Sequence, residues 1–272
     1  MKRNPAKIVL SWAALLLTAS IAYWNTLAPS QKSPNFLKNV FSGEAVVRKI
    51  IDGDTIELNN GQRVRYIGID CPESKRKTSS GWVEAGDPYS KESVQLNEEL
   101  VLGKKVRLEF DVQKKDKYNR LLAYCFVNVG GQDVLVQAEM LKAGLAYLYT
   151  APPNIKYIDV LAAALQEAKH DKRGVWSQDL TVSSSEASQF LGQRKLVEGR
   201  VERVRKNDRV IRLMMEDFEV IIFKKDLELF AREGIDPAEF YDQKRVRVFG
   251  LIKEYKGKTE IILSNPWQIE IL

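Results

Sequence analysis

Three carboxylates and two guanidiniums stand where the local patterning places strand ends. Asp54 follows an Asp52-Gly53 turn. Asp70 and Glu73 flank Cys71-Pro72, Arg65 lies five residues before Asp70, and Arg120 opens a later strand after a basic loop. Carboxylate oxygens bind a hard divalent cation such as Ca2+. Two arginines can clamp a phosphate through paired hydrogen bonds. A further carboxylate can orient or deprotonate water. Together these are the parts of a phosphoryl-transfer site. Each part alone has a plainer reading: Asp-Gly-Asp is a common turn, Arg65 a solvated strand residue, and 70–73 a strand exit.

The elements that must position these groups follow from patterning. Residues 44–51 are rich in β-branched types, 55–58 follow the turn, and Asn59-Asn60-Gly61 is a hairpin signal. Residues 63–69 alternate, with Val64, Tyr66 and Gly68 on one face and Arg63, Arg65 and Ile67 on the other. Helical patterns cover 89–102, 134–143 and 157–171, and strands are predicted at 105–110 and 121–129. Three strands, a helix, two strands and two helices predict a mixed α+β unit, a small Greek-key barrel with helices packed on it.

These residues resemble a known family. Ile51-Asp52-Gly53-Asp54-Thr55, Arg65-Tyr66-Ile67-Gly68-Ile69-Asp70-Cys71-Pro72-Glu73 and Asp116-Lys117-Tyr118-Asn119-Arg120 resemble, in order, the three signatures of the thermonucleases, the staphylococcal nuclease homologues. Gly144-Leu145-Ala146 and Gly174-Val175-Trp176-Ser177 resemble further family features, so the likeness covers residues 44–177. It implies an OB-type five-stranded barrel that cleaves DNA and RNA with Ca2+ and leaves a 3′-phosphate. On the matching positions it implies that Asp54, Asp70 and the Cys71 carbonyl hold Ca2+. Glu73 would be the general base, and Arg65 and Arg120 would bind the scissile phosphate. Lys117, Tyr118, Tyr147 and Tyr149 would contact substrate, with a core-packing role weighed equally for the last two. Two positions depart from the family: Cys71 stands where Thr is commoner, and Asn119 where Gly is usual. A thiol beside the site could oxidise or attract a soft metal. Asn tolerates the left-handed backbone that a Gly there requires.

Composition bounds the rest. One His and two Cys exclude a two-histidine metal site, a disulfide-rich scaffold and any zinc site with three thiolates. The net charge of +6 is concentrated at the start of the chain. Residues 1–41 hold five bases and no acid, so the remainder is near neutral and is no broad basic grip for nucleic acid. Local basic clusters remain at Lys75-Arg76-Lys77 and Lys114-Lys115-Asp116-Lys117. Residues 8–28 form an apolar run after a basic start, which predicts a transmembrane anchor with the rest of the chain outside the cytoplasm. The small residues of Ser20-Ile21-Ala22 leave a cleaved signal peptide open, with a secreted or periplasmic product.

Residues 29–43 and 178–193 read as linkers, and 194–272 as a second, OB-like accessory unit without a catalytic signature. The expected partners are nucleic acid and, through 8–28, a membrane. No organic cofactor is expected, and a monomer is. The rival expectation is a non-catalytic, envelope-anchored module that binds nucleic acid or protein. It is disfavoured because every charged position of the catalytic set is filled.

Overall fold

A computed structural model describes residues 44–272 apart from 74, 79, 80 and 85, with backbone only for 44, 75–78 and 81–84. The apolar run at 8–28 and the linker at 29–43 lie outside the described residues. Among the described residues no helix is long and apolar enough to cross a membrane.

The first strands are β1 (Glu44–Asp52), β2 (Thr55–Leu58) and β3 (Arg63–Tyr66), an antiparallel meander. Asp52 Oδ1 accepts the Asp54 N–H at 3.0 Å, a side-chain turn that brings the chain round between β1 and β2. β4 (Ile69–Asp70) follows, then the hairpin β5 (Lys75–Thr78) and β6 (Gly81–Glu84). Helix α1 (Ser90–Val101) buries Ser93, Asn97, Leu100 and Val101, a stripe at helical spacing. β7 (Lys105–Glu109) and β8 (Leu121–Val129) complete a barrel. β7 pairs with β1 and β8, and β8 pairs in parallel with β3 and closes the ring. Residues 123–127 of β8 are buried on both faces, because the barrel interior lies on one side and helix α2 (Val136–Lys142) on the other. Gln137 of α2, fully buried, accepts the Cys125 N–H and donates to the Ala123 carbonyl, so the helix is stitched to the strand. This mixed α+β unit with its closed five-stranded barrel is the OB-type fold that the sequence predicts.

Three details differ from the sequence expectation. Residues 134 and 135, read as the start of a helix, close strand β9 (Gln132–Leu135). Gly130 and Gly131 both take positive φ and turn the chain back, so Val134 pairs with Val127 before α2 begins. The strand expected over 63–69 breaks at Gly68 (φ +89°), and β4 turns away to pair with β10 (Tyr147–Leu148). The basic loop at 75–77 lies in the β5–β6 hairpin. Helix α3 (Ile158–His170) packs on α2, and Val175 donates to the Gly144 carbonyl at 2.9 Å. A Cβ on Gly144 would lie 2.1 Å from the Arg173 carbonyl oxygen, so the two glycine motifs are one close backbone crossing.

Beyond Ser177 the chain forms β11 (Thr181–Ser183), β12 (Arg194–Arg200), β13 (Arg203–Lys206), β14 (Val210–Met215) and β15 (Phe218–Phe223). Helices α4 (Leu227–Arg232) and α5 (Pro237–Phe240) lead to β16 (Arg245–Leu251), β17 (Lys253–Tyr255), β18 (Lys258–Leu263) and β19 (Ile269–Ile271). β13, β14 and β15 form a meander, β15 pairs in parallel with β18, β17 pairs with β18, and β16 returns to β12. That is the pairing order of the first barrel, with the first and fourth strands each broken by a bend. β11, read as linker, adds in parallel to β12.

The C-terminal part of the chain has its own core, including Phe218, Phe230, Tyr241 and Ile261. It is also joined to the first barrel: Leu229 and Phe249 belong to the first hydrophobic cluster, and Leu196 and Trp267 pack against it. Trp176, from the closing motif of the first unit, lies 4.7 Å from the Phe249 ring. Thr150 donates to the Ser264 carbonyl at 2.9 Å, and Arg232 pairs with Asp159 at 3.2 Å.

Asp226, 2% exposed at the start of α4, is pushed up to about 6 by burial, with Lys225 opposing. A carboxyl raised in the folded state stabilises below its unfolded value, here about pH 4, and the contribution is lost as pH rises through about 6. Relative to Asp226→Asn, the wild type is expected to lose on the order of 2 kcal/mol of unfolding free energy between pH 4 and 7. Denaturant titrations of both proteins at the two pH values measure it.

Candidate active site

The first carboxylate is placed by the β1–β2 turn. That turn is gripped from α1, where Asn97 donates to the Asp52 carbonyl and accepts the Tyr66 hydroxyl at 2.9 Å. A Cβ on Gly53 would lie 2.7 Å from the Cys71 Cβ, so glycine lets the turn press against the Asp70-Cys71 segment. Asp54 is 6% exposed. Its Oδ2 accepts the Cys71 N–H at 2.9 Å and its Oδ1 the Thr55 hydroxyl at 3.1 Å. Burial pushes Asp54 up to about 6, opposed by Arg65 and aided by the charge on Asp52.

Arg65 joins the two aspartates. Its Nη2 lies 3.0 Å from Asp54 Oδ2 and 3.0 Å from Asp70 Oδ1. Its Nη1 donates to the Tyr66 and Ile69 carbonyls, at 2.8 and 2.7 Å. Burial works against its charge, but Asp54 and Asp70 outweigh that and hold its pKa above the ordinary value. Asp70 itself is placed by β4 pairing with β10, opposite Tyr147.

Arg120 is held from its own loop. Asp116 Oδ2 accepts Arg120 Nε at 2.7 Å, while Asp116 Oδ1 accepts the Tyr118 and Arg120 N–H groups. Asn119 takes φ 64°, the left-handed turn that its residue type allows. Burial opposes the charge on Asp116, and the bonds from Arg120 and Tyr118 outweigh it and hold that carboxyl below its usual value. Arg120 Nη1 reaches Thr55 Oγ1 at 3.5 Å, so Thr55 stands between Arg120 and Asp54. Asp116→Asn keeps an acceptor for the two backbone N–H groups and removes the ion pair. It is expected to lower turnover about tenfold by loosening Arg120, and steady-state kinetics on a nucleic-acid substrate checks it.

Glu73 is exposed, and its segment is fixed by a reciprocal pair: the Glu73 N–H to Asp87 Oδ2 at 3.1 Å and the Asp87 N–H to the Glu73 carbonyl at 3.2 Å. Partial burial of the carboxyl, with the charges of Asp54 and Asp70, raises Glu73 above its ordinary value, and Arg65 opposes. Such a carboxyl is a better proton acceptor than an ordinary one.

Asp70, Cys71, Glu73, Tyr118 and Arg120 line one cleft of about 1360 Å3. Tyr118 is 68% exposed, with Lys117 Nζ 5.0 Å from its ring centroid. Asp54, Arg65, Lys117, Tyr147 and Tyr149 are not part of the cleft lining, although Arg65 ties Asp54 to Asp70, which is. Tyr149 is exposed, whereas Tyr147 is half-buried between Trp176 and Phe249. Sequence reasoning missed Thr55 and Asp116 as positioning groups, although the four-residue spacing of Asp116 and Arg120 was a legible signal. It also missed Arg194, whose guanidinium donates to Asp70 Oδ2. No local pattern marks Arg194, which stands 124 positions from its partner.

Among the described residues no group of three or more His, Cys, Asp and Glu gathers as a metal cage. Two carboxylate oxygens, from Asp54 and Asp70, do converge on one positively charged nitrogen, Arg65 Nη2. That donor set fits a hard cation completed by carbonyl oxygen and water, not a soft metal. Cys71 and Cys125 are both free and buried, and burial raises both thiols, Cys125 to about 12. Little thiolate is therefore available at Cys71 to draw a soft metal.

Comparison with known proteins agrees with this geometry. The profile described as staphylococcal nuclease homologue matches residues 63–178. Endonuclease YncB of Bacillus subtilis is 41% identical over 155 residues, 55% of this chain and 67% of that protein. The SPbeta prophage-derived endonuclease YokF of the same organism is 40% identical over 141 residues, 50% of this chain and under half, 45%, of that protein. The thermonuclease of Staphylococcus intermedius is 33% identical over 174 residues, 62% of this chain and 96% of that protein. With the signature residues gathered on an OB-type barrel, the chain belongs to the family of staphylococcal nuclease homologues.

Proposed function

We propose that the protein is a Ca2+-dependent nuclease that hydrolyses phosphodiester bonds of DNA, RNA or both and leaves 3′-phosphate products. One observation carries this reading: Arg65 bridges Asp54 and Asp70, Arg120 is held beside Asp54 through Thr55, and Asp70, Glu73 and Arg120 line one cleft. Asp54, Asp70 and the Cys71 carbonyl would hold Ca2+, which when bound supplies charge stabilisation at the phosphate oxygens. Glu73 takes the proton of the attacking water. Arg65 and Arg120 hold the phosphate and offset the charge that develops on it. Tyr118, exposed beside Arg120, offers a face for a base or sugar. The similarity to proteins named endonuclease and thermonuclease supports the same reaction class.

We further infer that residues 8–28 tether the enzyme to a membrane with the barrels outside the cytoplasm, that residues 44–177 form the nuclease domain, and that 194–272 form an OB-like domain. The uncharged stretch after a basic start supports the first inference, and the repeated strand order supports the last.

The test incubates the full chain with single-stranded DNA, in Ca2+ or in chelator, beside Asp54→Ala and Glu73→Gln. Cleavage in Ca2+ that is lost in chelator and in both variants is the expected result. No cleavage by the folded, Ca2+-supplemented protein overturns the reading.

A further inference from the structure

The second barrel contributes to the same cleft. Arg194 and Leu251 face each other across the β12–β16 pair, and both line it. Arg194 is fixed by two contacts to the first barrel. Its Nη2 donates to Asp70 Oδ2, the oxygen that Arg65 does not take, and its guanidinium carbon lies 4.6 Å from the Tyr147 ring centroid. Tyr147 is itself wedged against Phe249 and Trp176. The Arg194 side chain therefore rests on a packed aromatic face at the barrel junction and keeps 30% exposure at the cleft wall.

This placement has a charge consequence. Asp52, Asp70, Glu73 and Asp87 line the cleft beside Arg63, Lys115 and Arg120, and a nucleic-acid strand brings further negative charge to it. Guanidinium groups offset that repulsion, and each offers five N–H donors in a planar fork suited to phosphate. Arg65 spans four acceptors in the barrel wall and Arg120 pairs with Asp116, and both are assigned to the scissile phosphate. Arg63 also lines the cleft, paired with Glu57 at 3.5 Å. Arg194 brings a further guanidinium, on a paired strand rather than a loop, to the Asp70 oxygen that Arg65 does not take.

Building on the nuclease reading, we propose that Arg194 binds a backbone phosphate of the nucleic-acid strand, so that the second barrel supplies part of the substrate site. Its position on a paired strand, stacked on Tyr147, holds the fork in place before substrate arrives, which lowers the ordering cost of each hydrogen bond it makes. The second barrel is then not a separable accessory. It forms one wall of the cleft and delivers one cation to it.

The test uses the full chain. Arg194→Gln keeps a polar side chain near Tyr147 and removes the charge, and Arg194→Lys keeps the charge. Binding of a labelled single-stranded oligodeoxynucleotide is measured in Ca2+ over a salt series, in a Glu73→Gln background that blocks turnover. Arg194→Gln is expected to weaken binding about tenfold at low salt. It should also reduce the slope of log affinity against log salt by about 0.7, the value of one phosphate on a single strand. Arg194→Lys should restore the slope. With Glu73 intact, KM should rise about tenfold in Arg194→Gln while kcat stays within about threefold. An unchanged salt slope in folded Arg194→Gln overturns the proposal, as does a fall in kcat at constant KM, the result expected of a tie between barrels alone. If the wild type cleaves and the slope is unchanged, only this proposal falls. If the wild type does not cleave but the slope drops, the phosphate contact stands and the nuclease reading falls. If the wild type neither cleaves nor binds, both fall.

Discussion

Glu73→Gln is expected to lower turnover by about 10²- to 10⁴-fold, the usual contribution of a positioned general base, while oligonucleotide affinity stays within about twofold. Glutamine keeps the size of the side chain and its place beside the Asp87 backbone pair, so the cleft is undisturbed. What it removes is the proton acceptor. The pH profile separates this role from a structural one. The raised Glu73 carboxyl must be ionised to act, so wild-type turnover should climb through an acid limb that lies above the ordinary carboxylate value. In Glu73→Gln that limb should vanish from the residual rate. Single-turnover cleavage across a pH series, with binding measured in parallel, is the measurement. Unchanged turnover removes Glu73 from the proton transfer.

Arg65→Ala is expected to damage both activity and stability, which distinguishes it from Glu73→Gln. Arg65 satisfies two carboxylates and two backbone carbonyls with one group, and Asp54 has little access to water. Truncation leaves Asp54 buried without its cation, a change that costs roughly 3–5 kcal/mol in comparable buried pairs. Asp70 retains Arg194 and is affected less. Turnover should fall by about 10²- to 10³-fold through loss of a phosphate donor. Arg65→Lys should recover part of the stability but little of the turnover, because a single ammonium cannot reproduce the planar fork that reaches all four acceptors. Denaturant titration in chelator measures the stability, and kcat/KM on single-stranded DNA measures the activity. Equal behaviour of the Lys variant and the wild type would show that charge alone, not the fork, is what the site uses.

The sequence alone named the residues that gather at the site, Asp54, Arg65, Asp70, Glu73 and Arg120, and laid out most of the scaffold beneath them, because both are written in short-range order. The β1–β2 turn is a local feature: an Asp-Gly-Asp run needs only its own side chain to close. The strands that begin at 44 and 63 were legible from a β-branched run and from alternation. Asn119 announced its left-handed turn by residue type. Residues 134 and 135 were misread because Val134 and Leu135 suit a helix face or a strand equally, and pairing with β8 decided between them.

Tertiary structure decided which side chains share the cleft. Tyr147 reads equally as a substrate tyrosine or a core-packing one, and the structure packs Phe249 and Arg194, from beyond residue 177, against it. The reason is physical. Periodicity reports which face of an element is buried, but not what buries it. The Arg194–Asp70 contact spans 124 residues and exists only because two barrels bury a shared aromatic junction of Trp176, Phe249 and Tyr147. No local propensity encodes that association. It follows from the apolar surface that each barrel leaves uncovered once it has folded.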